Sequence, residues 1–311
     1  MRVVLLVNPA ASSVSPGTQY AIADALAVRH DLEVVSTNAR DHASELAADA
    51  TARGAEVVVV LAGDGTLNET AQGLAGSHTA LAPLPGGSTN VFARSLGIAF
   101  SPLDACAQLL RSLDERREQR IGLGVATSQG VTRRFVFHLG LGFDAAVVRQ
   151  MEERLMGLKR HLAHPAFAVA TVDTWMRHYD RETRITLTAR TVKGEVSSTT
   201  GPYAVVSNAD PYTYVGHRPV SLAPHAGIER PLAVTVFASL RVGLLVRAAG
   251  GGLLHSPSIQ ASPQITQLGD VEEVVVSADR PVPWQVDGDH LGDAQELVVR
   301  YEPDALTVIV P

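Results

Sequence analysis

The feature that most constrains the fold is an alternation, in the first third of the chain, of short apolar strands with segments of helical periodicity. A strand that is apolar throughout must be covered on both faces, which is typical of a parallel sheet. Crossover helices make such a sheet a doubly wound α/β domain. The predicted strands are 2–8, 32–37, 56–62 and 79–85, and the predicted helices are 18–29, 41–53, one from about Leu67 and a short one after 85.

The pattern changes after about residue 122. One helical tract at 144–179 is accompanied by strand-like runs that Pro, Gly and Ser clusters separate, which predicts an antiparallel β-sandwich or barrel-like domain. We therefore expect an α/β domain at 1–122, a β-rich domain at 123–311 and an active site in the cleft between them. The sequence leaves open whether the last run packs with the first domain. The runs are 183–190, 203–208, 232–238, 272–278, 296–301 and 305–310.

Composition excludes several classes of protein. The net charge of −6 argues against a general nucleic-acid binder, and Cys106, the single cysteine, rules out an internal disulfide, which fits a reducing cytoplasm. No apolar stretch reaches the roughly 18 residues that span a bilayer, and the N-terminus lacks the length and basic flank of a signal peptide. We expect a soluble or peripheral cytoplasmic protein, and a homo-oligomer stays open.

Three loops rich in small and polar residues follow predicted strands: 8-NPAASS-13, 62-AGDGT-66 and 85-PGGSTN-90. Ligands of open α/β sheets bind at the carboxyl ends of strands. Small residues let backbone N–H groups approach phosphates, and helix N-termini favour negative charge. Each loop alone is also typical of a turn, but the three together predict a phosphate site.

Asp64 stands between two glycines in the second of these loops. Because a bare carboxylate would repel phosphate, we expect Mg²⁺, or a water bound to it, between the two. The alternative is that Asp64 caps the next helix, and both roles can coexist. The G-x-x-x-x-G-K-[ST] and G-x-G-x-x-G fingerprints are missing, so the chain is not a P-loop NTPase or a common dinucleotide binder.

The stretches NPAASS, AGDGTLNE and PLPGGSTNVFARSLGI resemble the catalytic domain of the diacylglycerol kinase family, which includes bacterial soluble lipid kinases, sphingosine kinases and ceramide kinases. FHLGLGFDAAVV (137–148), GGLLHSP (251–257) and WQVDGD (284–289) resemble its later motifs, so the likeness spans nearly the whole chain. The resemblance implies an ATP-binding α/β domain, a β-rich second domain, and Mg²⁺-assisted phosphoryl transfer from ATP to a lipid hydroxyl.

The resemblance also assigns residues. Asp287 in VDGD would be the general base, since a carboxylate in hydrogen-bond reach can accept the proton of a lipid hydroxyl. From the residues alone, Asp287-Gly288 is a β-hairpin turn. Thr37 matches a weaker nucleotide-contacting position. The nucleotide contacts implied are Asn8, Thr37, Gly63, Asp64, Gly65, Thr66, Asn68, Glu69, Gly87 and Thr89.

The sequence departs from the family pattern at three places. Ala62 replaces a glycine and could crowd a phosphate, and Asp289 replaces a glutamate, which shortens the reach of any metal ligand there. Glu229-Arg230-Pro231 stands where bacterial members often carry an Asp-Asp-Gly tract that holds a structural Mg²⁺. Since arginine cannot ligate a cation, our hypothesis is that this second metal site is absent and that a guanidinium occupies its place.

A lipid kinase must reach a membrane. The tract 149–179 mixes Lys159, Arg160, His161 and His164 with apolar residues, and such a helix could rest on an anionic surface at the inner face of the membrane. The alternative is a helix that packs in the core with a solvated polar face.

The leading interpretation is a lipid kinase of phospholipid biosynthesis. Its default substrate is diacylglycerol, and a long-chain amino alcohol such as sphingosine stays open. The second interpretation is an NAD kinase or a phosphofructokinase-like kinase, which share the Gly-Asp-Gly turn. The third is a nucleotide- or lipid-binding protein without catalysis. Ala62, Asp289 and the replaced metal tract at 229–231 motivate the third interpretation, whereas Asp64 and Asp287 argue against it.

Overall fold

The computed structural model describes residues 1–155, 171, 173–174, 179–180, 182–241, 243–244, 247, 250–251 and 262–311. Contacts divide the chain into two compact units. Unit 1 comprises Met1–Leu123 with Pro303–Pro311, and unit 2 comprises Gly124–Glu302. The sequence-based division placed all of 123–311 in the second domain, whereas here the C-terminal segment groups with unit 1.

Unit 1 alternates strands and helices as the sequence predicts. The elements are β1 Arg2–Val7, α1 Pro16–Ala27, β2 Asp31–Ser36, α2 His42–Ala52, β3 Val57–Ala62, α3 Asp64–Leu74, β4 Ala80–Pro85, α4 Val91–Ser95 and α5 Pro102–Glu115. The strands lie in the order β2-β1-β3-β4, and neighbouring strands are parallel. The third helix begins at Asp64 rather than near Leu67, directly after Gly63, the residue that follows β3.

The parallel sheet is covered on both faces. Because the side-chain period of a strand is two, alternate residues of β1 face opposite sides of the sheet. Val3, Leu5 and Val7 belong to one buried cluster with residues of α1 and α5. The intervening Val4 and Leu6 are also buried, and α2 and α3 contact strands of the sheet. The doubly wound α/β arrangement is therefore confirmed.

Unit 2 is rich in antiparallel strands, as predicted. Its elements are β5 Glu118–Ser128, which begins in unit 1, β6 Val131–Phe135, β7 His138–Gly142, α6 Phe143–Leu155, β8 Ile185–Thr191, β9 Val196–Gly201, β10 Tyr203–Ser207, β11 Thr213–Val215, β12 Arg218–Val220, β13 Leu232–Phe237, β14 Ile265–Val286 and β15 Asp289–Ile309, which ends in unit 1. The strands of this unit pair antiparallel, and apolar residues from most of them form one buried cluster.

The end of the chain completes the sheet of unit 1. The last part of β15 pairs parallel to β4 through Val308 and Leu81. The Val310 N–H donates to the carbonyl of Arg117 at 3.0 Å. This pairing buries the apolar run 305–309, which the sequence left open between the two domains.

Strand boundaries in unit 2 differ from the sequence-based ones. The predicted run 272–278 is the middle of the longer β14, and the runs 296–301 and 305–310 belong to the single strand β15. Shifts of register between Ser277 and Val282 let the β14–β15 pair continue through a proline-containing stretch that reads as a break.

Two predicted features lie partly outside the described residues. Of the helical tract 144–179, α6 is described to Leu155, and of the GGLLHSP motif only its first residue is described. In the part of the chain that the structure describes, no helix is both long and apolar enough to cross a bilayer.

Candidate functional site

The first two predicted loops meet at the carboxyl edge of the parallel sheet. β1 and β3 are neighbours, and the Asn8 N–H donates to the carbonyl of Leu61 at 3.2 Å. The Asn8 side chain joins the loops directly, because its Nδ2 donates to Oγ1 of Thr66 at 2.9 Å. The N–H of Thr37 donates to the carbonyl of Val7 at 2.9 Å, so Thr37 lies at the same edge.

The third loop packs its backbone against the second. The Gly86 N–H donates to the carbonyl of Ala62 at 2.8 Å. A Cβ at Gly86 would lie 2.7 Å from the Ala62 nitrogen, and a Cβ at Gly87 would lie 2.7 Å from Cα of Gly63. These glycines are therefore required for contact between the loops themselves. Ala62 is only 4% exposed, so its methyl group is buried.

Ser13 ties the first loop to the third. Its N–H donates to the carbonyl of Gly86 at 2.9 Å, and its hydroxyl donates to the carbonyl of Gly87 at 3.2 Å. Gly65 is exposed, and Thr66 and Thr89 are partly exposed. The predicted loop residues are thus brought together on one edge, with part of their surface open to a ligand.

Asp64 binds protein groups in an arrangement that the sequence did not predict. Its Oδ2 accepts the N–H of Val91 at 3.0 Å, and its Oδ1 accepts the N–H of Phe92 at 3.3 Å. Asp64 is the first residue of α3 but caps α4, so the alternative interpretation, in which it caps the helix directly after it, is wrong. Burial raises the pKa of the Asp64 carboxyl, although the N–H donors at the start of α4 oppose the shift.

The start of α3 remains open. Gly63 is the N-cap residue of this helix and has no side chain that could accept an N–H group of the first turn. A helix N-terminus without a capping side chain offers backbone N–H groups and a favourable dipole to an anion. We therefore expect a phosphate at the start of α3 rather than at the start of α4, where Asp64 accepts the N–H groups.

The described residues do not form a protein cage for magnesium. Two backbone N–H groups at the start of α4 bind the Asp64 carboxylate, and among the described residues no group of three or more His, Cys, Asp or Glu side chains could hold a metal ion. Mg²⁺ is commonly held by one or two carboxylates together with substrate phosphates. A contact of Asp64 or Asp289 with Mg²⁺ stays a prediction.

The remaining predicted nucleotide residues, Asn68 and Glu69, lie on α3. Oε2 of Glu69 accepts the N–H of Ala43 in the first turn of α2 at 3.2 Å. Asn68 is 6% exposed, and its Oδ1 accepts from Nε2 of Gln72 at 3.3 Å. Both side chains thus bind neighbouring protein groups, and their contact with a nucleotide stays a prediction.

In unit 2, Asp287 and Gly288 form the two-residue turn between β14 and β15. Val286 pairs with Asp289 across it, and the φ angles of Asp287 and Gly288 are 48° and 89°. Positive φ at both central residues is typical of a tight hairpin turn. The hairpin interpretation of this dipeptide is therefore confirmed.

The Asp287 carboxylate accepts three backbone N–H groups from the link between β6 and β7. Oδ2 accepts from Val136 at 2.7 Å, and Oδ1 accepts from Phe137 at 3.0 Å and from His138 at 2.9 Å. The three donors hold the side chain in place, and the role of Asp287 as a base stays a prediction.

A buried polar cluster lies next to this turn. Asp144 is 4% exposed and Gln285 is fully buried. Oδ1 of Asp144 accepts from the Tyr212 hydroxyl, and Oδ2 accepts from Nε2 of Gln285 at 2.6 Å. Burial and the Asp144 carboxylate raise the pKa of Tyr212 well above its usual value. A side chain at Gly140 would overlap Asp144 Oδ2, which explains one glycine of FHLGLGFD.

Sequence reasoning missed this cluster. Asp144 ends the glycine-rich FHLGLGFD motif, and a carboxylate inside an apolar stretch was the available signal. Tyr212 carries no comparable signal, since it comes from a distant loop. The His138 ring lies 4.3 Å from the Tyr212 ring, and burial lowers the pKa of His138.

Arg230 forms an ion pair where the sequence suggested a lost metal site. Its Nη2 lies 3.2 Å from Oδ1 of Asp270, and both side chains are about half exposed. An exposed pair of this kind contributes roughly 0–1 kcal/mol. The guanidinium thus has an acidic partner, and the absence of a structural Mg²⁺ stays a prediction.

We expect Gly86→Ala to destabilise the protein by about 1–3 kcal/mol, because the new methyl group would overlap the backbone of Ala62. Urea unfolding at equilibrium measures the change. Gly17→Ala is the control, because a Cβ there has only ordinary contact with Ser15. Equal stability of the two variants would contradict the packing of these loops.

We expect stability to fall as the pH drops below 6.5, the ordinary pKa of histidine, because burial lowers the pKa of His138 in the folded state. Below that pH the His138 side chain is protonated in the unfolded chain before it is protonated in the folded chain, so protonation favours unfolding. His138→Gln should lessen this loss in thermal melts across the pH range. His78 is exposed, and His78→Gln should leave this loss unchanged. If the melting temperatures of both variants fell with pH at the same slope, His138 would not be the cause.

We expect the melting temperature without nucleotide to be the same in Mg²⁺ and in EDTA, because Arg230 and Asp270 pair without a cation. Differential scanning fluorimetry measures it. Arg230→Asp tests whether the arginine prevents Mg²⁺ binding, since a carboxylate at this position should make the melting temperature sensitive to Mg²⁺. A rise with Mg²⁺ in the wild type would sink the hypothesis.

The chain is similar to known diacylglycerol kinases and lipid kinases over part of its length. Residues 2–120 match the profile of the diacylglycerol kinase catalytic domain. The chain is 33% identical over 117 residues to a diacylglycerol kinase of Mycobacterium tuberculosis strain H37Rv, which covers 37% of each protein. It is 41% identical over 80 residues to a Pseudomonas putida protein named "Probable lipid kinase YegS-like", which covers 25% of this chain and 27% of that protein. The chain therefore spans well under two thirds of these curated relatives.

Solved structures support the fold. A diacylglycerol kinase from Bacillus anthracis has a TM-score of 0.71 at 19% identity, covering 100% of this chain and 97% of that one. An NAD kinase from Archaeoglobus fulgidus in complex with ATP has a TM-score of 0.54 at 11% identity, covering 99% and 93%. The α/β domain and the following β-rich domain are thus confirmed. The recognition made from the motifs is confirmed as well: residues 2–120 carry a diacylglycerol kinase catalytic domain.

Proposed function

We propose that this protein is an ATP-dependent lipid kinase. The observation that carries the proposal is the convergence of the three family loops on one sheet edge, next to the first turn of α3, whose N-cap residue is Gly63. That arrangement suits the phosphates of a nucleotide. The match of residues 2–120 to the family supports the same conclusion.

In this proposal, unit 1 binds ATP. The first turn of α3 donates N–H groups to the phosphates, and Thr66 and Thr89 add hydroxyl donors. Asn8 holds Thr66 through its side chain. Mg²⁺, which would accompany the nucleotide, offsets phosphate charge. The described side chains form no cage for the ion, so it would be held chiefly by phosphates and water.

Asp287 acts as the general base. The lipid hydroxyl oxygen attacks the γ-phosphorus, its proton passes to the Asp287 carboxylate, and the bond from the γ-phosphorus to the bridging oxygen breaks to release ADP. Three backbone donors fix the orientation of this carboxylate. A fixed orientation lowers the entropic cost of reaching the transition state.

The acceptor is a lipid alcohol, with diacylglycerol as the default and a sphingosine-like amino alcohol as the variant. Such a substrate requires peripheral contact with a membrane, so the proposal includes a cytoplasmic protein that is transiently at the inner face. The tract 149–179 is the proposed contact, although most of it lies outside the described residues.

A second candidate is an NAD kinase. The Gly-Asp-Gly turn that the sequence shares with such kinases favours it, and the Archaeoglobus fulgidus NAD kinase has a similar fold. The motifs NPAASS, PGGSTN and VDGD favour the lipid kinase instead. Transfer of labelled phosphate to NAD but not to any lipid would reverse the order.

We expect Asp287→Asn to lower the rate of phosphate transfer from labelled ATP to diacylglycerol in mixed micelles by about 10²- to 10⁴-fold, because the amide cannot accept the proton. The same change should cost about 1–3 kcal/mol of stability, since one amide oxygen replaces two acceptors. Rates are therefore compared well below the melting temperature of the variant.

Asp304→Asn is the matched control. Asp304 is exposed and also has a positive φ, of 50°, so the chemical change and the backbone are alike. It should retain wild-type transfer. Phosphate transfer by Asp287→Asn at the wild-type rate would exclude Asp287 as the general base. ATP binding without transfer to diacylglycerol, sphingosine, NAD or sugar phosphates would favour the non-catalytic binding protein.

A further inference from the structure

The turn that carries Asp287 is held from a second side. Oε1 of Gln285 accepts the Gly288 N–H at 2.7 Å, and its Nε2 donates to Oδ2 of Asp144 at 2.6 Å. Gln285 is therefore a bridge between the hairpin turn and the carboxylate at the start of α6. Because Gln285 is fully buried, water cannot replace either bond at low cost.

Only one orientation of the Gln285 amide satisfies both of its partners. The amide oxygen must face a donor, the Gly288 N–H, and the amide nitrogen must face an acceptor, the Asp144 carboxylate. The Tyr212 hydroxyl donates to the other oxygen of Asp144 and fixes it in turn. Each group is thus satisfied in only one arrangement.

We propose that Gln285, together with Asp144, is a positioning residue for Asp287. The pair sets the backbone of the 287–288 turn, and the turn sets the Asp287 carboxylate against the N–H groups of 136–138. The bond from Asp287 N–H to the His138 carbonyl, 3.0 Å long, ties the turn to the same segment. The proposal rests on the proposed role of Asp287 in phosphate transfer.

Swapping the carboxylate of position 144 and the amide of position 285 tests the bridge. Gln285→Glu alone sets two carboxylates against each other, so it should disrupt the turn. Asp144→Asn alone should do less, because the Tyr212 hydroxyl can turn to accept from the new amide. In the double variant Asp144→Asn, Gln285→Glu, the amide donates to the new carboxylate, which still accepts from Gly288. The double variant should recover most of what Gln285→Glu loses.

Two readouts are measured on the full chain. Transfer to diacylglycerol should show kcat about 100-fold lower for Gln285→Glu with KM for ATP unchanged, because small misplacement of a catalytic group has an effect of that order. In Gln285→Glu, amide hydrogen exchange should be faster in segments 135–142 and 284–291. In the double variant it should return towards the wild-type rate. The control is Gln129→Glu at an exposed turn, which should match the wild type.

The outcomes separate the two claims. No recovery of exchange or kcat in the double variant would overturn the bridge, and so would unchanged kcat in Gln285→Glu when the wild type is active. A wild type that transfers phosphate to no acceptor would defeat the proposed function. In that case the exchange cycle alone decides whether the pair holds the turn.

Discussion

Backbone N–H groups at the ends of helices and strands must find acceptors, and two aspartates meet this requirement in the two units. Asp64 accepts from the start of α4, and Asp287 accepts from the link between β6 and β7. An unpaired buried N–H costs free energy comparable to a lost hydrogen bond. The motifs GDG and DGD therefore serve the fold directly, whatever chemistry they also perform.

This dual use explains the limits of sequence reasoning. The parallel strands of unit 1 were predictable, because β1, β3 and β4 are apolar and are followed by glycine or asparagine. The meeting of the loops also followed from the rule for parallel strands. The target of Asp64 did not follow, since Val91 at the start of α4 lies 27 residues along the chain and only the tertiary structure brings it close.

Unit 2 was less predictable for the same physical reason. Some of its antiparallel pairs join residues far apart in sequence, such as Ile185 with Ala278. The runs 296–301 and 305–310 were predicted as two strands although they form one. The hairpin β5–β6 turns at Gln129 and Gly130, with φ of 48° and 83°, and glutamine is not a usual residue at such a turn. Tyr212 reaches Asp144 from 68 positions away, a distance at which local patterns say nothing.

The pairing of the C-terminal segment with β4 has a consequence for synthesis on the ribosome. β4 is complete when residue 85 has been made, but its parallel partner at Val308 appears only when nearly the whole chain has been translated. Until then β4 is an edge strand with unpaired N–H and C=O groups, which are a template for pairing with other chains. Unit 1 therefore depends on residues that are made late in translation to cover this edge of its sheet.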